Sequence, residues 1–321
     1  MKAFAYATAR SPESAVELVR DQGRFIAGGF DLLGEMKDGL AAPRLLVNVK
    51  TIPGTRDIAR DDDRWTIGAN VTLAALASHA ALRESLPGLA EAAAEVGSPQ
   101  MRNIATVGGN LAQHSRCWYY RHPDVECLKN GGRRCYARGG NTKYHSLFSG
   151  CMCLSPCASN LAVVLSALEA KVVVQRGAKS MTMPIAELYA DAWREARSHN
   201  SLEADDLILR VEVPVARGVR SSYLQVAEKS AFDWALVSCA AAARIEDGKL
   251  HGVRVALGCI APVPWLVDEA NKFLEGKEPT DENASRAADM ILLEAKPERD
   301  NAYKVPLAQA LIRRAILRLA A

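Results

Sequence analysis

"RFIAGGFDLLGEMKDG", residues 24–39, decides how the first part of this chain reads. "RFI" is a short apolar run suited to a strand, and the Gly28-Gly29 pair ends it. "DLLGEMKDG" then resumes with helical spacing and is stopped by Gly39. Outward from this stretch, "SPESAVELVRD" (11–21) reads as a helix capped by Ser11, with Pro12 in its first turn. "RLLVNV" (44–49) reads as a second strand. The result is a small βαβ-like unit over residues 1–55.

Glycines at a strand-to-helix turn let backbone N–H groups converge as an anion cradle. "NIATVGGNLA" (103–112) repeats the arrangement with Gly108-Gly109-Asn110. One Gly-Gly pair is only a tight turn, but two in one domain suit the two phosphates of a dinucleotide. Neither G-x-G-x-x-G nor G-x-x-x-x-G-K-[ST] is present.

Further along, "RWTIGANVT" is strand-like and is followed by helices at 72–80 and 85–96. "SNLAVVLSALEA" reads as a buried helix, "KVVVQR" as a strand, and "DLILRVEVPV" alternates apolar residues at Leu209, Val211, Val213 and Val215. "PVARGVRSS" (214–222) is a linker, giving domains at 1–216 and 217–321. The second holds antiparallel strands with a turn at "EDGK", then helices near 265–275, 281–296 and 303–320. The class is α+β.

Between residues 117 and 157 lie six of the eight cysteines, spaced Cys117-x9-Cys127-x7-Cys135-x15-Cys151-x1-Cys153-x3-Cys157. The crowding points to a metal site, with a local disulfide knot as the alternative. The close C-x2-C pairs of structural zinc are absent, whereas an iron–sulfur cluster needs only four converging thiolates. "KNGGRR" and "RGGN" supply flexible backbone around them. His114, His122 and His145 read as neighbours, not ligands, and Trp118, Tyr119 and Tyr120 as packing. Cys239 and Cys259, in strand-like surroundings, read as buried core thiols.

The net charge of +3 is too small to argue for nucleic acid or a membrane surface. No apolar run approaches the roughly 20 residues that span a bilayer, and "MKAFAYATAR" has no signal core. The expectation is a cytoplasmic chain, although export with a signal-bearing partner would leave the same sequence.

"FIAGGFDLLGEMK", "IATVGGNLA", "EKSAFDWALVSCAAA" and "NAYKVPLAQALIRRAI" together resemble, in order and over essentially the whole chain, the flavoprotein (medium) subunit of the molybdenum hydroxylase (xanthine dehydrogenase) family. The resemblance implies an FAD-binding domain of the vanillyl-alcohol oxidase type in two subdomains (1–55 and 56–216). A C-terminal α+β domain of the CO dehydrogenase flavoprotein type would follow. Most members lack the cysteine segment. A subset that includes the 4-hydroxybenzoyl-CoA reductase beta subunit carries it, as an insert here spanning about 114–157 with a 4Fe–4S cluster.

Carried over by position, the implied cluster ligands are Cys117, Cys127, Cys135 and Cys153, leaving Cys151 and Cys157 without counterparts. The implied FAD contacts are Ile26, Ala27, Gly28, Gly29, Phe30, Asp31 and Leu32 for the pyrophosphate. Thr106, Gly109 and Asn110 form the second turn, and Ser159 and Asn160 a third. Leu207 or Ile208 would lie near the isoalloxazine, with Lys229 approaching from the C-terminal domain. Phe30 departs from the usual Thr or Ser, and Asn160 from the usual Asp, which costs a hydroxyl and a charge. The implied role is electron transfer with no catalytic residue on this chain. The partners would be a molybdenum-cofactor large subunit, a 2Fe–2S small subunit and an external carrier such as ferredoxin. Arg133, Arg134 and Arg138 would attract such an acidic carrier or else form a solvated face. The alternative is a stand-alone flavoenzyme or redox-sensing module with a zinc- or thiol-bearing loop.

Overall fold

The computed structural model describes residues 1–20, 22–215 and 218–320. Asp21 of the expected first helix and the expected domain boundary at 216/217 lie outside the described residues. Strands β1 (Ala5–Thr8), β2 (Gly23–Ile26) and β3 (Leu45–Asn48) form a parallel sheet in the order β1-β3-β2. The helix Pro12–Val19 crosses between β1 and β2. Ser11 Oγ accepts from Ser14 N–H (3.2 Å) and Ser14 Oγ accepts from Ser11 N–H (3.0 Å), so two otherwise orphaned donors are satisfied at its start. Ala15, Val16 and Val19 bury its inner face beside Val47 and Val49. The sheet delivers the end of β2 directly into the Gly28-Gly29 turn.

A second sheet is antiparallel: β4 (Ile58–Arg60), β5 (Arg64–Gly68), β6 (Lys171–Arg176), β7 (Lys179–Pro184) and β8 (Leu207–Pro214), in the order β4-β5-β8-β6-β7. Between β5 and β6 the two helices expected at 72–96 are three: Leu73–Ser78, Ala80–Ser85 and Pro87–Ala94. His79 takes an extended backbone and caps the second with its ring nitrogen, and Pro87 opens the third, so a continuous helix is interrupted twice.

The C-terminal sheet runs β12-β11-β10-β9, with β9 Val219–Val226, β10 Val237–Glu246, β11 Lys249–Gly258 and β12 Trp265–Leu266. The helices Asp268–Leu274, Asp281–Leu292 and Lys304–Arg318 follow. Cys239, Ala241 and Ala243 of β10 face the C-terminal core, while Ala240 and Ala242 join the core of the first domain. A strand buried on both faces has no polar alternation, which is why "LVSCAAAA" is apolar on both faces apart from the buried Ser238. The helix Asn160–Ala167 lies on the second of these faces and is buried from Leu161 to Ala167. Cys239 is a core thiol as expected. Cys259 is only half-buried, on a backbone with φ +62°.

The cysteine segment holds little regular structure, only the helix Trp118–Arg121 and a 3-10 turn Leu128–Asn130. It is anchored to the C-terminal domain. Leu147 and Phe148 N–H both donate to Ile260 O (2.7 and 3.0 Å), and both side chains belong to the C-terminal core. Among the described residues no helix is long and apolar enough to cross a membrane.

Candidate functional site

Two cavities lie side by side. The larger, about 800 Å³, is within the range of cofactor sites. It is walled by the 26–32 turn, the 105–110 turn, the 197–206 segment and residues 232–234. The two glycine turns touch: a Cβ on Gly28 would stand 2.5 Å from Ile104 O and 3.0 Å from Ala105 Cα. Gly29 has φ +75°, a conformation that costs other L-residues energy. Thr106 Oγ1 accepts from Gly109 N–H (3.1 Å), which fixes the second turn.

Ile26, Ala27, Gly28, Gly29, Phe30, Asp31, Leu32, Thr106, Gly109, Asn110 and Asn160 all line this cavity. Ser159, Leu207, Ile208 and Lys229 do not. Ser159 sits behind the wall, where its hydroxyl donates to Asn110 Oδ1 (2.7 Å) and accepts from Ala162 N–H. Leu207 and Ile208 are buried in the cores, and Asp206 takes the lining position. Lys229 is exposed, and Phe232, Asp233 and Trp234 of the same segment reach the cavity instead. Sequence reading missed Phe232 and Trp234, although two large aromatics in a loop were a usable signal. A stretched cleft floored by glycines lacking Cβ atoms fits a diphosphate-bearing flavin.

The wall towards the second cavity is polar. Asp31 accepts from His114 N–H (2.6 Å) and Arg121 (2.6 Å) and pairs with Arg116 at 2.9 Å. Glu35, 3% exposed, accepts from Tyr120 O–H (2.7 Å), and its Oε1 lies 2.9 Å from His114 Nδ1. Burial alone raises the Glu35 pKa, but the hydrogen bond and charge of His114, the Tyr120 hydroxyl and the Arg121 guanidinium bring it down to about 2. His114 stacks on His199 at 4.1 Å, and burial first, then the neighbouring His114 and Lys129, push the His199 pKa well below its usual value. Among the described residues Asp31, Glu35 and His114 are the group whose ligand atoms lie within 4.8 Å of one another. With Arg116, Arg121 and Tyr120 already on the two carboxylates, this is an ion-pair cluster. Glu35 and His114 face the larger cavity and Tyr120 the smaller, so the partition is one hydrogen bond thick.

The smaller cavity, about 10 Å³, is lined by Cys117, Cys127, Cys135 and Cys153 with Tyr119, Tyr120, Tyr136 and Lys129. Cys151 and Cys157 do not reach it. All eight cysteines are free thiols, so there is no disulfide knot. Gly132 makes the turn possible, since a Cβ there would lie 1.8 Å from Glu126 O. Burial pushes the Cys117 thiol up to about 11, whereas a hydrogen bond with Cys153 lowers the Cys135 pKa and raises that of Cys153. Four thiolates on one zinc, at 2.3 Å each, would stand about 3.8 Å apart. No three of these sulfurs lie within 4.8 Å of one another. The all-sulfur donor set is that of a cubane, which takes each thiolate on its own iron. Seating one in so small a gap requires the thiols to swing outward.

Residues 2–216 match the family described as the FAD binding domain in molybdopterin dehydrogenase. The chain belongs to that family. Residues 222–319 match the CO dehydrogenase flavoprotein C-terminal domain. Within the molybdopterin dehydrogenase FAD-binding family, the chain is 31% identical to the aldehyde oxidoreductase FAD-binding subunit of Escherichia coli (strain K12), over 96% of each chain. It is 28% identical to the carbon monoxide dehydrogenase medium chain of Hydrogenophaga pseudoflava, over 98% of this chain and 96% of that one. A solved structure of carbon monoxide dehydrogenase from the same organism superposes with a TM-score of 0.78 at 26% identity, covering 99% and 97% of the two chains. The mixed α and β architecture is thus that of the CO dehydrogenase medium chain.

Proposed function

We propose that this chain is the FAD- and 4Fe–4S-carrying electron-transfer subunit of a heteromeric molybdenum hydroxylase. In this reading 1–216, with its insert at 114–157, is the FAD-binding domain, and 217–321 the C-terminal flavoprotein domain. FAD lies in the larger cavity on the backbone of Ile26–Leu32, with Thr106, Gly109, Asn110 and Asn160 opposite. Cys117, Cys127, Cys135 and Cys153 hold the cluster. The observation that carries the reading is the convergence of these four thiols, and no other cysteine, on one cavity separated from the flavin cleft by the Glu35–Tyr120 hydrogen bond.

When bound, FAD exchanges two electrons and an iron–sulfur cluster one at a time, which suits an adaptor between two-electron and one-electron carriers. The chain's own residues prepare the site. The glycine turns present N–H groups to a pyrophosphate, Arg116 and Arg121 hold Asp31 in place, and the Tyr120–Glu35–His114 chain closes the short path between the cavities to water. Substrate chemistry belongs to a molybdenum-cofactor large subunit, with a 2Fe–2S small subunit as the link. The relative at 31% identity, an aldehyde oxidoreductase subunit, supports an aldehyde-class substrate.

The insert carries seven basic residues, Arg116, Arg121, Lys129, Arg133, Arg134, Arg138 and Lys143, against Asp124 and Glu126. Arg133 and Arg134 are exposed, which suits an acidic carrier such as ferredoxin. A cytoplasmic location is consistent with the free thiols.

Cys127→Ser in the anaerobically purified complex is expected to lose the iron in excess of the partner's 2Fe–2S content while keeping FAD, and Cys151→Ser to keep both. Equal loss of iron and FAD from Cys127→Ser, or loss of iron from Cys151→Ser, would overturn the ligand assignment.

A further inference from the structure

The insert meets the C-terminal domain where residues 141–146 pack on residues 298–304. His145 lies there, 1% exposed, with Nε2 3.2 Å from Cys117 Sγ. Its Nδ1 is buried without a partner. A proton on Nδ1 would leave a buried donor unpaired, whereas a proton on Nε2 points at the sulfur, so the Nε2–H tautomer is assigned from the hydrogen bonding. The His145 backbone is held by hydrogen bonds and its ring is flanked by aromatics. His145 N–H donates to Thr142 O (2.8 Å), and Trp118 and Tyr119 flank it at 6.0 and 5.8 Å. Asn301, fully buried, donates from Nδ2 to His145 O (3.3 Å) and Ser146 O (3.1 Å). Thr142 and Asp300 exchange two bonds, each 3.2 Å, and Tyr303 O–H donates to Lys143 O (2.7 Å).

Resting on the cluster reading above, we propose that His145 is a positioning residue that donates its Nε2–H to the Cys117 thiolate and so raises the reduction potential of the iron–sulfur centre. Asn301, from the C-terminal domain, holds the backbone that carries that donor, at the His145 and Ser146 carbonyls. A hydrogen bond to a ligand sulfur stabilises the more negative, reduced state more than the oxidised one, so its loss lowers the potential.

His145→Leu removes the donor, and His145→Gln keeps an amide N–H near the Nε2 position. The test is an EPR-monitored redox titration of the reduced cluster in the anaerobically purified complex, with iron and FAD assayed on the same samples. His145→Leu is expected to lower the reduced-to-oxidised ratio at fixed potential by on the order of tenfold, equivalent to 59 mV for one electron. His145→Gln recovers most of that shift. In the unsubstituted complex, labelling histidine with 15N converts a 14N coupling of the reduced cluster into a 15N coupling in its pulsed EPR spectrum. A full iron content with unchanged potential in His145→Leu refutes the inference and leaves the cluster reading standing. So does absence of any histidine coupling in the unsubstituted complex, which needs no variant to fold. An unsubstituted complex whose iron is confined to the 2Fe–2S partner refutes the cluster reading and this inference with it.

Discussion

Gly28→Ala tests whether the two glycine turns form one cradle. The added Cβ would lie 2.5 Å from Ile104 O, where ordinary contact begins at 3.4 Å, so the two turns must part by about 0.9 Å. The obstacle is a backbone carbonyl, not the flexible end of a side chain, and its movement carries Ala105 and Thr106 with it. Overpacking of this kind costs about 1–3 kcal/mol. Charged against the FAD-bound geometry, that is a roughly 5- to 150-fold weaker Kd, since 1.4 kcal/mol is tenfold. Gly39→Ala is the control. Gly39 also has positive φ (+78°), but nothing lies within 4 Å of its Cβ position, so its substitution strains the backbone by roughly 1 kcal/mol without touching the cleft. The assay is titration of apoprotein with FAD, read by quenching of flavin fluorescence, with thermal unfolding in parallel. Gly28→Ala is expected to lose affinity and Gly39→Ala only stability. Wild-type affinity in Gly28→Ala, or equal loss in both, refutes the reasoning.

Two further predictions concern buried charge. Glu35 has a native pKa of about 2 against a usual 4.5, so it contributes stability above 4.5 that is lost as pH falls towards 2. The full window is worth roughly 3 kcal/mol. In urea unfolding, the stability gap between wild type and Glu35→Gln should be flat above pH 5 and narrow below it, and a gap independent of pH contradicts this. Lys304, 1% exposed, donates to Cys259 O (2.8 Å), and burial lowers its pKa to about 8. The unfolded chain binds more protons between pH 8 and 10.5, so this group makes stability rise with pH across that window. The difference in Tm between wild type and Lys304→Met should therefore change between pH 8 and 10.5, and a constant difference removes the argument.

The sequence carried most of the fold because its strongest signals are local. Ser11 and Pro12 start the first helix, Gly28-Gly29 turns the chain, and the residues of 26–32 named from the resemblance all reach one cleft. What it hid depends on distant contacts. Phe232 and Trp234, not Lys229, enter the cleft because the loop after β9 folds back over it. Leu147 and Phe148, inside the insert by position, pack in the C-terminal core through backbone bonds to Ile260. Asp31 looked like one residue of a cradle, yet its carboxylate is occupied by Arg116 and Arg121, some 85–90 positions away. The helix break at His79 rests on an extended backbone that no residue type demands.

The central claim is that four thiols share an iron–sulfur centre one hydrogen bond away from FAD. Iron, acid-labile sulfide, zinc and FAD should be measured together on the anaerobically purified complex, with Mössbauer spectroscopy on 57Fe-grown material and the partner subunits' 2Fe–2S iron subtracted by its own spectrum. The account predicts one 4Fe–4S spectrum per FAD. Stoichiometric zinc in its place, or iron confined to the 2Fe–2S partner, would contradict it.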